Sequence, residues 1–225
     1  MAEQSSRPLT QVDRAYEALK RRICDGIWAG GDEWLEREAA EEIGVSRTPI
    51  REALIRLEEE RLVKVRPRRG FVVMSISAAD MVEIYEILTA LEPLAAAKLA
   101  SMKDNDRAVA RLVAAVDAMD NALVEDDLAK WGEADSEFHR ALVEEAGNAR
   151  LARIIATVSD QAHRARVATL HLRPKPSKSN NDHRAVLRAI RSGDAETAYA
   201  RHKAHRETAG ELIVSLLVEN GYSAI

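Results

Sequence analysis

The stretch GVSRTPIREAL, residues 44–54, decides how the first third of this chain is read. Gly44 stops one apolar-periodic segment, and Ser46 is a good N-cap for the next. Pro49 falls in the first turn of the new helix, where a missing N–H costs nothing. Ile50, Leu54 and Leu57 form its buried side. Arg47 and Arg51 are four apart, so they share another face. The spacing predicts a helix over 47–60 with two guanidiniums on its opening turns.

Working outward, a short helix fits 36–43. An earlier one fits 10–27, with apolar side chains at Val12, Tyr16, Leu19, Ile23 and Ile27. Downstream, LVKV (62–65) and GFVVMS (70–75) read as extended runs around the basic tip RPRR, residues 66–69. Three short helices and a hairpin make a winged helix-turn-helix. Such a helix reads bases with residues near its N-terminus. Arginine suits guanine because its forked N–H donors match O6 and N7. Thr48 adds a short hydroxyl, and the helix N-terminus itself favours phosphate. Arg61, Lys64, Arg66, Arg68 and Arg69 make the wing strongly positive, and Gly70 would let backbone approach a groove edge. The competing reading is a solvated basic hairpin beside arginines paired with Glu52 or Glu58.

The charge has to be local. Of 225 residues, 33 are basic and 37 acidic, a net charge of −4, so composition alone does not announce a nucleic-acid binder. Hydrophobic residues make up 46% and aromatics 4%, a composition suited to long helices. The single cysteine, Cys24, excludes an intrachain disulfide and a Cys-rich zinc site. No apolar run approaches membrane-spanning length, and the N-terminus lacks an apolar signal core. A soluble cytoplasmic protein is expected.

From Ser77-x-x-Asp80, a variant capping box, the chain reads as about six helices: 78–101, 105–125, 128–146, 149–172, 179–192 and 195–219. The domain boundary falls near 74–77, giving a DNA-binding unit 1–75 and an all-helical unit 76–225. Helix 128–146 carries Trp131, Ala134, Phe138 and Leu142 on one stripe. Asp135 lies inside that stripe and His139 at its edge. A carboxylate in a helical core is costly without a partner, and Asp and His one turn apart can share a metal ion. His183 shares a face with Leu187 and Ile190. His202 and His205 both lie on the stripe of Ala198, Ala209, Leu212 and Leu216, and helical position does not choose between them. His163 points away from Val158 and Ala162 and is set aside, while His171 sits near a helix end. The alternative is a buried Asp–His hydrogen bond among scattered histidines.

Residues 19–73, through WLEREAAEEIGVSRTPIREALIRLEEERLV and RPRRGFVV, resemble the DNA-binding domain of the GntR family of bacterial transcription regulators. The resemblance implies that Arg37, Ser46, Arg47, Thr48, Arg51, Arg69 and Gly70 serve DNA. Where Arg61 stands, the family usually has glycine. Residues 78–215, through YEILTALEPLAAAKLA, DSEFHRALVEEAGN, DHRAVLRAIRSGDAETA and HKAH, resemble the FCD ligand-binding domain of the FadR-like subfamily. That resemblance implies a divalent metal, whether zinc, nickel, manganese or iron, on Asp135, His139, His183 and His205. It selects His205 over His202. It also implies a homodimer on operator DNA, and a small-molecule effector, often an organic acid. Many relatives carry an arginine where this chain has Leu88, and Arg166 is a candidate substitute for holding the effector. The leading expectation is a repressor released by its effector. A metalloenzyme using the Asp/His₃ set is the runner-up, and a purely structural metal the third reading.

Overall fold

In a computed structural model, which describes residues 9–222, the first helix is capped by Thr10. Thr10 and Asp13 form a capping box, each side chain bonding the other's backbone N–H. This helix, α1 (Gln11–Cys24), buries Ala15, Tyr16, Leu19 and Ile23. It ends earlier than its apolar spacing predicts. Gly26 turns the chain with φ +72°, Ile27 is left exposed, and Trp28 takes the inward place. There Trp28 stacks on Trp34 at 4.2 Å and meets Phe71 at 5.9 Å.

The rest of this unit runs β1 (Glu33–Trp34), α2 (Glu36–Ile43), α3 (Arg47–Glu59), β2 (Val63–Arg66) and β3 (Gly70–Val73). The strands form one antiparallel sheet in the order β1-β3-β2. Sequence periodicity finds the β2–β3 hairpin but not β1, a two-residue strand that pairs Glu33 with Val72 and Trp34 with Phe71.

Two turns in this unit use left-handed backbone without glycine. At the wing tip, Arg69 N donates to Arg66 O at 2.9 Å and Arg68 holds φ +64°. With Pro67 ahead of it, this is a type II turn. At the end of α3, Arg61 holds φ +56°. Leu62 N donates to Leu57 O at 2.9 Å, and Arg61 N to Glu58 O at 3.0 Å. That pair of bonds is a Schellman closure.

The chain divides at Ser75–Ile76 into two compact units, each with its own apolar core. The second holds α4 (Ala78–Ser101), α5 (Asp106–Val124), α6 (Leu128–Glu145), α7 (Ala149–Thr169), α8 (Ser177–Arg191) and α9 (Ala195–Glu219), with a 3-10 turn at Leu170–Leu172. Ser77, Asp127, Asn148 and Asp194 each cap a helix through the side chain. The reciprocal half of the Ser77–Asp80 box is not formed, so Ser77 acts as a plain N-cap. Helix α4 runs chiefly along α9, and both bury charged residues mid-length. Those charges set the site.

Candidate functional site

The first unit presents α3 with its arginines outward. Arg47 and Arg51 keep 61% and 60% of their side chains exposed, while Ile50, Ala53, Leu54 and Leu57 are buried behind them. Neither arginine pairs with Glu52 or Glu58. Glu36, the first residue of α2, takes both: its Oε2 lies 2.6 Å from Arg51 Nε and 3.7 Å from Arg47 Nη2. Pairs this exposed are worth about 0–1 kcal/mol, so they orient the guanidiniums yet are readily exchanged for another anion. Glu58 instead accepts from Val65 N at 2.8 Å.

Thr48 and Arg69 are exposed, and Arg37 lies 4.0 Å from Glu41 on the surface. Ser46 stands at the N-cap position, but its hydroxyl makes no cap hydrogen bond. In the wing, Arg66 pairs with Glu33. The close approach allowed by Gly70 is internal. A Cβ there would lie 2.0 Å from Trp34 O and 2.9 Å from Leu35 Cα, so glycine is needed to seat β1 on β3. This internal need for glycine stands beside the groove-approach reading of Gly70 and leaves it open to test on DNA.

In the second unit, Asp135, His139, His183 and His205 come together, all buried. The three histidines offer ring nitrogens within 4.8 Å of one another. His139 Nε2 and His183 Nε2 are 3.3 Å apart, and Asp135 Oδ1 lies 3.9 Å and 3.7 Å from them. Two nitrogens bound at about 2.0–2.1 Å to one tetrahedral ion stand about 3.3–3.4 Å apart, so this donor set fits a divalent metal. Burial, and next the Arg206 charge, push His139 down to about 3. Burial also holds His183 well below the usual imidazole range. The neutral imidazole that results is the ligating form. Carboxylates flank the far ring nitrogens: Glu92 Oε2 is 3.2 Å from His139 Nδ1, and Asp182 Oδ2 is 3.7 Å from His205 Nδ1. Such outer contacts fix which nitrogen faces a metal.

His202 serves a different cluster. Its Nε2 lies 2.8 Å from Glu92 Oε2. Arg206 grips both oxygens of Glu92 at 2.6 Å. Glu92, His139 and His202 also converge, but with both carboxylate oxygens held by a guanidinium this group is a hydrogen-bonded network, poorly suited to a cation. Against the desolvation that burial imposes, Arg206 keeps the Glu92 carboxyl well below the usual range. The Glu92–Arg206 pair spans 114 residues of sequence, so helical spacing gives no sign of it.

Arg166 is buried, and its Nη1 lies 2.8 Å from Asp135 Oδ2. Its Nη2 donates to Ser136 Oγ at 3.2 Å. His163, set aside on helical position, belongs here as well. Its Nδ1 is 2.7 Å from Ser136 Oγ, and burial pushes it down to about 4. Helix α7 therefore has a second inward side, which one apolar stripe does not reveal. Leu88 is fully buried core.

Two family profiles match this chain. The profile of the FCD domain matches residues 83–208, and that of the bacterial regulatory proteins of the gntR family matches 11–73. An uncharacterized HTH-type transcriptional regulator in the TAR-I ttuE-ttuC' intergenic region of Agrobacterium vitis is 41% identical over 135 residues, covering 59% of this chain and 79% of that one. The HTH-type transcriptional repressor RspR of Escherichia coli is 27% identical over 216 residues, covering 96% and 93%. A solved putative GntR transcriptional regulator from Rhodococcus sp. RHA1 superposes with a TM-score of 0.78 at 25% identity, covering 92% and 99%. Among the described residues no helix is long and apolar enough to cross a membrane. An N-terminal winged helix-turn-helix followed by a six-helix unit that the FCD profile matches makes this chain a member of the GntR family of bacterial regulatory proteins: a DNA-binding transcriptional regulator with an FCD domain, and not an enzyme.

Proposed function

We propose that this regulator is a cytoplasmic repressor that binds its operator as a homodimer and is released by a small molecule bound beside a divalent metal. Residues 1–75 serve DNA and 76–225 serve effector binding and dimerisation, the eight residues before Leu9 and the three after Tyr222 lying outside the described ones. Arg47 and Arg51 read guanines, and Thr48 and Ser46 add hydroxyl contacts at the same helix end. Arg37 and Arg69 position the unit on phosphate. Asp135, His139, His183 and His205 hold the metal. A metal so held would polarise an anionic oxygen of the effector, and Arg166, already turned to Asp135, would steady it. The repressor name of the Escherichia coli relative supports the direction of control.

The observation that carries the metal reading is the 3.3 Å approach of His139 to His183 beside a buried carboxylate. Release requires the effector to favour the DNA-incompetent state by differential affinity. The test is elemental analysis of purified protein, with fluorescence anisotropy on DNA from its own promoter region. About one divalent ion per chain is expected. Chelation should leave effector-free DNA binding largely intact but abolish release by metabolites. Metal-free protein with a full effector response would refute the reading.

A further inference from the structure

Beyond the four proposed ligands, the second unit buries polar groups that have no hydrogen-bond partner among the described residues. Arg173, which follows the 3-10 turn, buries Nε and Nη2 without an acceptor. The Tyr85 hydroxyl and Arg166 Nε are in the same state, on side chains that are 5% and 7% exposed. A buried donor without an acceptor costs roughly 1–3 kcal/mol, more when charged, so four such atoms on three side chains of one unit call for an explanation.

Arg173 stands beside α6, and Tyr85 and Arg166 lie within electrostatic reach of it. Leu170 of the 3-10 turn packs 3.8 Å from where a Gly132 Cβ would stand, which lays this turn on the stretch of α6 that carries Trp131 and Asp135. Arg173 Cζ sits 5.4 Å from the centre of the Trp131 ring. That face attracts a cation but accepts none of its N–H bonds in the plane of the guanidinium. The charges of Asp135 and Arg166 both act on Arg173 and on Tyr85.

The charge count separates two kinds of ligand. Glu92 is matched by Arg206, and Asp135 by Arg166. Arg173 has no such match among the described residues. A divalent ion on Asp135 would add two more positive charges. One carboxylate toward the ion answers part of that excess and leaves Arg173 and Tyr85 as they are. A second carboxylate at the other end gives the Arg173 fork a planar acceptor and the Tyr85 hydroxyl a lone pair.

We propose that Arg173, Arg166 and Tyr85 form the far half of a two-ended anion site, and that the molecule sensed is a compact diacid. This rests on the metal-and-effector reading above and narrows its ligand.

The test uses full-length, metal-loaded protein and acids of matched chain length: succinate with butyrate, glutarate with valerate, and inorganic phosphate as a different dianion. Thermal shift reports binding, and anisotropy on promoter DNA reports release. The diacid of at least one pair should bind roughly tenfold to a hundredfold more tightly than its monoacid. Arg173→Gln and, separately, Tyr85→Phe should shrink that ratio while metal content and effector-free DNA affinity stay unchanged. Equal binding of diacid and monoacid in every pair, an undiminished ratio in the Arg173→Gln protein, or a response to phosphate in place of any carboxylate would overturn the diacid site. Monoacid binding with release, but without diacid preference, overturns this inference alone. Absence of metal, or indifference to every acid, overturns the underlying reading with it.

Discussion

Replacing Arg61 by glycine should stabilise the DNA-binding unit. Arg61 closes α3 in left-handed backbone, φ +56°, where a Cβ crowds the following carbonyl by roughly 1–2 kcal/mol. Five other helices put glycine at the equivalent place: Gly26, Gly44, Gly147, Gly193 and Gly221. Glycine gives back roughly 0.5–1 kcal/mol through the freer unfolded chain, so the net gain is about 0.5–1 kcal/mol. For a unit of this size that corresponds to roughly 2–8 °C. Because the two units have separate cores, amide exchange on peptides from α1 and α3, followed through a urea series, is the suitable assay. Arg61→Ala is the control, since it removes the charge and keeps the Cβ. If Arg61 also contacts phosphate, both variants should lose affinity alike on specific and random DNA, each lowering the salt slope by about 0.9. A glycine variant no more stable than wild type, or an alanine variant that gains as much, would show that the left-handed strain is not there.

On DNA, Arg47→Ala and Arg51→Ala should each lose about 1–3 kcal/mol of discrimination between operator and random sequence, and equal losses on both would argue against base reading. Lys64→Ala and Arg68→Ala should weaken all sequences uniformly in titrations at two salt concentrations; alanine gives Arg68 no relief from its left-handed backbone, so charge is what changes there. For the metal, His139→Ala and His183→Ala should lower occupancy and melting temperature, whereas His202→Ala should keep the ion and lose only stability through its 2.8 Å bond to Glu92; full metal in the His139 or His205 variant, by elemental analysis, would sink the ligand assignment. With falling pH, metal-free protein should lose stability from about pH 6.5 downward. His139, His163 and His202 have folded values depressed to about 3, 4 and 4, so only the unfolded chain binds their protons in that window, at about 1.4 kcal/mol per pH unit for each group. Urea midpoints that stay flat between pH 7 and 5 would contradict it.

Local chemistry made much of this architecture legible. Helices α2, α4 and α9 begin and end where capping and periodicity place them, because Gly44, Ser77 and Gly193 punctuate the sequence there. The basic hairpin is visible for the same reason. Strand β1 is not, since two residues carry no period and its pairing depends on Gly70 far downstream. Asp135 announces itself as a carboxylate inside an apolar stripe. Glu92 does not, because what keeps it buried is Arg206 on another helix. His163 is misjudged by a one-stripe view of α7, and Arg173 lies just beyond a helix end, where no periodicity applies.

Gly210 deserves a last consequence. A Cβ at this position would stand 2.9 Å from the Tyr85 ring, so residue 210 sets the room that residue 85 can occupy. The two behave as bump and hole. A methyl added at 210 displaces the phenol, and a smaller side chain at 85 makes space for the methyl again. Position 85 lies on α4 and 210 on α9, and neither is one of the proposed metal ligands or an arginine of α3. Someone building biosensors from this scaffold could therefore vary 85, 173 and 210 together to retune what is sensed, while leaving the DNA address as it is.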